Sequence, residues 1–262
     1  MILAVDIGNS NIVVGAIDRE RVYFVERFSS DPRKTDLEYA IALRTVLELH
    51  EIMPDQLKGS VISSVVPPVT ATLNRALQKI IGTPALIVGP GIKTGLAIRM
   101  DDPAKVGSDL IVDAVAGVAG YPLPLILIDM GTATTLSIVG RGPAYLGTII
   151  APGAQVALDA LIQTTSQLPR IPFESPRKII GTNTVDCIKS GIILGNASML
   201  DGLIDRVELE LGETATVVAT GGLASSIVPH CRHLVQVDEN LLLRGLYLIY
   251  QKNNGSVCCS YS

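Results

Sequence analysis

A short polar pattern occurs twice in this chain, each time directly after an apolar run. Each copy has an Asp, a Gly two positions later, and Asn or Thr at the third and fifth positions after the Asp. The copies are residues 6–11, Asp-Ile-Gly-Asn-Ser-Asn, and residues 129–134, Asp-Met-Gly-Thr-Ala-Thr. A second run rich in β-branched residues follows each copy, so each predicts a strand, a glycine turn and another strand. A unit repeated in this way indicates an internal duplication.

Helical and strand-like patterns alternate through the rest of the chain. Apolar residues three and four apart predict helices, and short β-branched runs that end at Gly or Pro predict strands. The predicted helices are 35–50, 68–81, 109–119, 152–165, 185–211 and 239–250, and the further strands are 61–66, 85–88 and 216–219. We therefore expect an α/β fold with mixed sheets. The domain prediction is an N-terminal lobe over 1–116, a C-terminal lobe over 117–250 and a polar tail over 251–262.

Composition excludes several classes of protein. Apolar residues make up 48% of the chain and charged residues 18%, a balance that disordered chains do not have. A formal charge of -4 and few aromatic residues argue against nucleic-acid binding. No apolar run reaches the roughly 20 residues of a membrane span, and the first residues lack the basic start of a secretory signal. We therefore expect a protein of the cytoplasm.

The cysteines show no metal-ligand spacing. They are Cys187, Cys231, Cys258 and Cys259, and the last two are adjacent in the polar tail. We expect free thiols.

A glycine turn between two strands suits a phosphate group. Glycine lets the backbone approach closely, exposed N–H groups donate to phosphate oxygens, and Asn, Ser or Thr side chains add donors. An Asp at the end of the first strand can hold Mg²⁺ through water. A single copy is more simply explained as an ordinary hairpin turn, in which Asp, Asn and Gly are common. Two copies at corresponding places favour a nucleotide site.

The two turns resemble the phosphate-binding hairpins of the hexokinase, Hsp70 and actin type of ATPase. The sequence has neither a G-x-x-x-x-G-K-[ST] loop nor a G-x-G-x-x-G pattern after its first strand. The Walker-type and Rossmann nucleotide-binding folds are therefore not supported. The resemblance implies two duplicated ribonuclease H-like lobes with a cleft between them that holds ATP and Mg²⁺.

A closer resemblance is to the type III pantothenate kinases, and it extends from residue 1 to about residue 250. It rests on an ordered set of segments: residues 6–11, 63–68, 89–96, 129–135, 152–153, 168–169 and 219–224. The resemblance implies an ATP-dependent kinase that phosphorylates the primary hydroxyl of pantothenate, the first step of coenzyme A biosynthesis. It also implies a homodimer that uses potassium or ammonium.

The resemblance assigns roles at both turns. Asp129 would be a ligand of the monovalent cation near a dimer interface, and Asp6 would contact Mg²⁺ through water. The implied ATP contacts are Asp6, Ile7, Gly8, Asn9, Ser10, Asn11, Ile12, Val13 and Thr132.

The implied acceptor site centres on residues 107–110, which correspond to a family segment Gly-Ala-Asp-Arg. Its Asp acts as base toward the attacking hydroxyl, so Asp109 is the candidate catalytic residue. An Asp, Ser or Thr at a helix start is also a common N-cap, which leaves a structural alternative for Ser108 or Asp109 and for Thr184. The implied acceptor contacts are Met100, Gly107, Ser108, Asp109, Leu110 and Thr184.

This chain departs from the family pattern at the acceptor site. Leu110 replaces the Arg, Met100 replaces a usual Tyr, and Thr148 replaces a common Gly. A less polar pocket leaves three functions open: a pantothenate kinase, a kinase for another small hydroxylated acid, or a non-catalytic nucleotide-binding protein that acts through a partner. The candidates for pairing the acceptor carboxylate are Lys93, Arg99 and Arg170.

Overall fold

The computed structural model describes residues 1–254 and forms two compact units. The first unit comprises Met1–Leu96, Asp101–Ala116 and the chain from Asn240 onward, and the second comprises Ala97–Met100 and Gly117–Glu239. The elements in chain order are β1 (Ile2–Ile7), β2 (Asn11–Ile17), β3 (Val22–Ser29), α1 (Asp36–Leu49), β4 (Ser60–Ser64), α2 (Pro67–Ile81), β5 (Leu86–Ile87), β6 (Ala97–Ile98), α3 (Ser108–Gly120), β7 (Leu125–Met130), β8 (Ala133–Gly140), β9 (Ala144–Pro152), α4 (Ala154–Thr164), α5 (Thr184–Leu211), β10 (Thr216–Thr220), α6 (Ala224–Ile227), β11 (Val235–Val237) and α7 (Leu241–Asn254).

The first unit is built on a five-stranded sheet in the order β3-β2-β1-β4-β5. Strands β1, β2 and β3 form an antiparallel meander, and β4 and β5 extend the sheet parallel to β1. Because β1 and β4 are parallel, their ends lie at the same edge, with Asp6 opposite Ser63 and Ile7 opposite Ser64. The first glycine turn therefore lies beside the end of β4.

Strand β1 is buried on both faces, which explains its unbroken apolar sequence. Leu3, Val5 and Ile7 belong to a core that includes residues of α1 and α2. Ile2 and Ala4 belong to a second core that includes residues of α3 and α7. Alternate residues of a strand point to opposite faces, so one short strand supports a helical layer on each side.

The second unit repeats this topology. Its sheet has the order β11-β10-β7-β8-β9-β6. Strands β7, β8 and β9 form an antiparallel meander, and β10 and β11 run parallel to β7. The short strand β6 is added beside β9. Apart from β6, the strand order is that of the first unit, which confirms the predicted duplication and the α/β class with mixed sheets.

Helix α5 is the main core helix of the second unit. By length and composition alone it could cross a membrane, since an 18-residue window within its 28 residues has a mean hydropathy of 1.2. Its buried residues Ile193, Ala197, Leu200 and Ile204 recur every three or four positions and pack in the core of this unit. This spacing is typical of a core-facing stripe, so the helix is weak evidence for a membrane span.

The sequence pattern does not predict β3, β6, β9 or β11. In β3 and β9 most residues are exposed or half-buried, so neither strand has a clean apolar alternation. Strands β6 and β11 have only two and three residues. Such short or half-exposed strands depend on pairing with a neighbour, which a local pattern does not reveal.

The division into units differs from the predicted one at two places. Helix α7 packs on the first sheet through Leu243, Leu246 and Ile249, so it belongs to the first unit and not to the lobe predicted over 117–250. Residues 97–100 join the second unit. Helix α7 also reaches Asn254, so residues 251–254 are helical, and the rest of the predicted tail, with Cys258 and Cys259, lies outside the described residues.

Gly245 marks a close approach of α7 to α3. A Cβ at this position would overlap the carbonyl oxygen of Val112 in α3. We expect Gly245→Ala to lower the free energy of unfolding by about 1–3 kcal/mol, because the two helices would have to separate. Equilibrium unfolding in urea measures this change.

Gly191→Ala is the matched control for this prediction. Gly191 lies inside α5, and a Cβ there meets nothing within 4 Å. Alanine should stabilise the protein at this position by up to about 1 kcal/mol, since it is the better helix former. Similar small gains in both variants would contradict the close contact at Gly245.

Candidate active site

Gly8 closes the first glycine turn, between β1 and β2. Its N–H donates to the carbonyl oxygen of Asn11 at 2.9 Å, and a Cβ on Gly8 would lie 3.1 Å from that oxygen. Asn9, Ser10 and Asn11 are exposed, and Asp6 is the one residue of β1 that is half-buried. The turn therefore presents a carboxylate and several polar groups at the edge of the sheet.

Burial limits what the strand residues beside this turn can offer a nucleotide. The side chains of Ile7 and Ile12 are fully buried in the first core, so only their backbone can face a nucleotide. Val13 lies opposite Asp6 in the pairing of β1 with β2 and is half-buried. The polar contacts predicted for this region therefore have to come from the turn itself.

Ser108 connects the start of α3 to the end of β4. Its Oγ lies 3.0 Å from Ser63 Oγ, accepts the N–H of Ser64 at 3.0 Å, and donates to the carbonyl oxygen of Ser64 at 3.0 Å. Ser63 is in turn the sheet partner of Asp6. The structure thus brings Asp109, the residue after Ser108, to the end of the sheet that carries the first turn. Ser63 and Ser64 have no role predicted from the sequence, although their Ser-Ser motif is part of the family resemblance.

Asp109 is the second residue of α3, and its contacts are not those of an N-cap. Its Oδ1 accepts a hydrogen bond from the N–H of the next residue, Leu110, at 3.0 Å. An N-cap side chain accepts instead from a residue two or three positions further along. Asp109 is half-buried, so the structure leaves its carboxylate partly open to solvent.

The surroundings of Asp109 favour its protonated form. Burial raises the pKa of this carboxyl above the ordinary value for Asp, and the hydrogen bond from Leu110 N–H opposes part of that rise. A raised pKa makes the ionised carboxylate a stronger base. A perturbed titratable group at the edge of a sheet is a candidate for proton transfer.

Gly107 and Leu110 shape the space around this carboxylate. A Cβ on Gly107 would lie 2.5 Å from Asp109 Oδ1, so only glycine leaves room for the carboxylate in its present position. Leu110, where the family segment has Arg, is 8% exposed and offers no charge. An acceptor carboxylate would need a different cationic partner.

The second glycine turn repeats the first in a shorter form. Two residues, Gly131 and Thr132, separate β7 from β8, whereas three separate β1 from β2. Gly131 N–H donates to the carbonyl oxygen of Ala133 at 3.0 Å, and Thr132 is exposed. Asp129 is the one half-buried residue of β7, as Asp6 is in β1. The two Asp residues therefore occupy equivalent places in the duplicated fold.

Two glycines from other segments pack against the second turn. Gly153 N–H donates to Thr132 O at 3.2 Å, and a Cβ on Gly153 would overlap the backbone at Gly131 and Thr132. Gly221 has a φ of 93°, and its Cβ would lie 2.6 Å from Asp129 Oδ1. Both places require glycine, which explains Gly153 in the Pro-Gly motif and Gly221 in the Gly-Gly motif.

Met100 and Thr184 both belong to the second unit. Met100 Sδ lies 4.0 Å from the place that a Cβ on Gly147 would occupy, so its side chain approaches β9. Thr184 is the exposed first residue of α5, and the N-cap is Asn183, whose Oδ1 accepts the N–H of Asp186 at 2.9 Å. The N-cap alternative for Thr184 is wrong, and its contact with an acceptor stays a prediction.

The two described cysteines are free thiols. Cys187 is exposed. Burial and the neighbouring Asp201 carboxylate raise the pKa of Cys231 to about 11, so this thiol is protonated and unreactive at neutral pH.

Comparison with known proteins identifies the family. The sequence-family model of the type III pantothenate kinases matches residues 2–206 of this chain. The chain is 42% identical to a type III pantothenate kinase of an Exiguobacterium species over 253 residues, 97% of this chain and 99% of the relative. The chain belongs to the type III pantothenate kinase family. A second type III pantothenate kinase, from Geobacter sulfurreducens, is 43% identical over the same shares of both chains.

The fold comparison agrees with this assignment. The structure of MreB 5 of Spiroplasma citri bound to AMPPNP matches with a TM-score of 0.55 and 10% identity, and the match covers 96% of each chain. So low an identity shows the fold alone. Three predictions are thereby confirmed for this member of the type III pantothenate kinases: the family, the actin-like fold and the kinase class.

Proposed function

We propose that this protein transfers the γ-phosphoryl group of ATP to the primary hydroxyl of pantothenate, the first step of coenzyme A biosynthesis, in the cytoplasm. The observation that carries the proposal is the arrangement of the first unit in a chain of this family. There the Asp6 turn, the end of β4 and the start of α3 with Asp109 meet at one edge of the sheet. Phosphoryl transfer depends mainly on positioning and charge neutralisation, which this edge can provide.

Asp109 acts as the base in this proposal. The acceptor hydroxyl oxygen forms a bond to the γ-phosphorus, the bond from that phosphorus to the bridging oxygen breaks, and ADP leaves. The hydroxyl proton passes to the Asp109 carboxylate, whose raised pKa suits proton acceptance. A base of this kind contributes about 10²- to 10⁴-fold in rate.

The first turn fits a phosphate group with Mg²⁺. Gly8 has no side chain, so the backbone of the turn can approach a phosphate closely. The exposed Asn9, Ser10 and Asn11 offer hydrogen-bond donors to the phosphate oxygens. When bound, Mg-ATP supplies the transferable phosphoryl group together with charge neutralisation. Mg²⁺ usually keeps several waters and takes one or two carboxylates in addition to phosphates, so Asp6 is a sufficient protein contact. For Thr132 of the second turn, contact with the nucleotide is what the family resemblance implies.

The residues around the acceptor decide whether pantothenate or another small hydroxylated acid is phosphorylated. Leu110 removes a charge from the segment that carries Asp109, and Met100 brings a thioether where the family has a phenol. The exposed cations that can replace the missing charge are Lys93, Arg99 and Arg170. The test is ADP release with pantothenate, with pantothenol, which lacks the carboxylate, and with a panel of hydroxy acids.

Each outcome of this assay selects one function. The highest kcat/KM with pantothenate, together with a clear loss for pantothenol, supports the proposal. A higher kcat/KM with another acid would identify a kinase for a different acceptor. Nucleotide binding by calorimetry without turnover on any acceptor would favour a nucleotide-binding protein that acts through a partner.

We also propose a homodimer with a potassium or ammonium ion at Asp129. Within the described residues, Thr135 Oγ1 is a buried oxygen without a hydrogen-bond partner. Thr135 lies opposite Asp129 in the pairing of β7 with β8, where opposite side chains share a face of the sheet. An unpartnered oxygen next to a carboxylate suits a cation with oxygen ligands.

The surface for the second copy is proposed on β9. Leu146 and Ile150 of this strand are 38% and 68% exposed and supply apolar surface there.

We expect a dimeric mass by light scattering and faster turnover in potassium or ammonium than in sodium at matched ionic strength. Thr135→Val keeps the side-chain shape but removes the oxygen, so it should raise the potassium concentration needed for half-maximal activity. Thr45→Val, at an exposed position of α1, should keep the original potassium response. A monomer, or equal rates in the three salts, would contradict the proposal.

A further inference from the structure

The hydroxyl of Ser108 uses its full hydrogen-bonding capacity. A serine hydroxyl has one donor and two acceptor positions. Ser108 Oγ donates to the carbonyl oxygen of Ser64 and accepts the N–H of Ser64, both at 3.0 Å. The Ser63 hydroxyl, also at 3.0 Å, takes the remaining acceptor position. The first residue of α3 is therefore fixed to the last two residues of β4.

These bonds belong to a larger network at the end of β4. Ser64 Oγ accepts the N–H of Val66 at 3.0 Å and the hydroxyl of Thr70, a residue of α2, at 2.6 Å. Ser63 is fully buried and pairs with Asp6 across β1 and β4. The network therefore links α2, the strand pair that carries the phosphate turn, and the start of α3.

The carboxylate of Asp109 depends on this link for its place relative to the turn. Its side-chain hydrogen bond to Leu110 N–H is local to α3, so that bond does not tie it to the sheet. The tie to the sheet is made one residue earlier, by Ser108. We propose that Ser108 is a positioning residue whose hydroxyl sets the place of Asp109 relative to the Asp6 turn. The inference rests on the proposed role of Asp109 as base.

The hydroxyl is a feature of this chain, since the family segment that it resembles has Ala at this place. Without it, the Ser63 hydroxyl and the N–H and carbonyl groups of Ser64 lose a partner at the end of β4. Polar groups left unpaired in a buried place draw in water or shift the backbone. A misplacement of about 1 Å at a catalytic group can lower the rate by about 100-fold.

Ser108→Ala is the direct test. We expect kcat to fall by about 10- to 100-fold. KM for ATP and for the acceptor should stay within about threefold, because the three bonds of the Ser108 hydroxyl to β4 leave it no position for an acceptor. The acidic limb of the kcat/KM profile should move to lower pH, because water that reaches Asp109 lowers its pKa toward the ordinary value. Ser108→Thr keeps the hydroxyl and should restore most of the rate.

Two further variants complete the design. Ser60→Ala is the matched control, since Ser60 is a buried serine of β4 whose Oγ has no hydrogen-bond partner within residues 1–254. It should keep the original kcat and pH profile. Ser63→Ala removes one of the three bonds of Ser108 and leaves both bonds to Ser64, so its effect should be smaller than that of Ser108→Ala but in the same direction.

Several results would overturn the proposal. They are an unchanged kcat in Ser108→Ala, an unmoved acidic limb, or an equal loss in Ser60→Ala. If Ser108→Ala does not fold, Ser63→Ala decides, and an unchanged rate and pH profile there count against the proposal. Asp109→Asn in the same assay separates the two claims. Full activity in Asp109→Asn would show that Asp109 is not the base. An inactive Asp109→Asn beside a normal Ser108→Ala would show that only the positioning role is wrong.

Discussion

Asp109→Asn is expected to lower kcat by about 10²- to 10⁴-fold, because an amide cannot take the proton of the acceptor hydroxyl. The amide oxygen of Asn can still accept the N–H of Leu110, so α3 should begin at the same residue. Nucleotide affinity should therefore stay close to that of the original protein. Single-turnover kinetics with the acceptor and calorimetry with a non-hydrolysable ATP analogue measure the two quantities separately.

The same variant should be more stable than the original protein at neutral pH. Burial raises the pKa of Asp109, so the folded state binds this proton more tightly than the unfolded state does. The stability contributed by the protonated carboxyl is complete below the ordinary pKa of Asp and is lost as pH rises through the raised value. Asn does not titrate. Its advantage should therefore appear above the raised pKa and vanish below the ordinary one, which thermal unfolding from about pH 3 to 8 can follow.

Asp55→Asn is the control for both effects. Asp55 is an exposed residue of a short turn in the first unit, so this change should alter neither turnover nor the free energy of unfolding. Normal turnover in Asp109→Asn would show that the carboxylate is not the base. An absent gain in stability at neutral pH would show that burial does not penalise its charge.

Gly221→Ala is expected to lower the free energy of unfolding by about 2–5 kcal/mol and to disturb the second turn. The φ of 93° is unfavourable for alanine, and the added Cβ would lie 2.6 Å from Asp129 Oδ1 and 2.7 Å from backbone atoms of Met130. Because β7 is a central strand, the simplest relief is a displacement of the Asp129 carboxylate. Urea unfolding measures the stability, and the potassium dependence of turnover reports on Asp129.

Gly142→Ala separates backbone strain from crowding. Gly142 has a φ of 71°, but a Cβ there meets nothing within 4 Å. This variant should lose only about 1–2 kcal/mol and keep the original potassium response, since its strain is confined to the backbone. Equal losses in the two variants would mean that the contact with Asp129 has no energetic effect.

The sequence by itself determines the local elements and the two turns of this protein. Helix α1 was expected over 35–50 and is observed as Asp36–Leu49, with Thr35 as N-cap and Glu38 completing a capping box. Helix α2 begins at Pro67 and ends before Gly82, which has the left-handed conformation. Caps, proline and apolar spacing act within a few residues, so they can be recognised without the fold.

The polar residues of the candidate site also follow from the sequence, because two copies of one turn and the family segment around Asp109 are visible there. Their mutual arrangement does not. The bonds from Ser108 to the end of β4, the contact of Gly221 with Asp129, and the packing of α7 on the first sheet all join residues far apart in the chain. Such contacts depend on strand order and on which face a helix covers. Only the tertiary structure decides them, because local propensity contains no information about which distant segment becomes the neighbour.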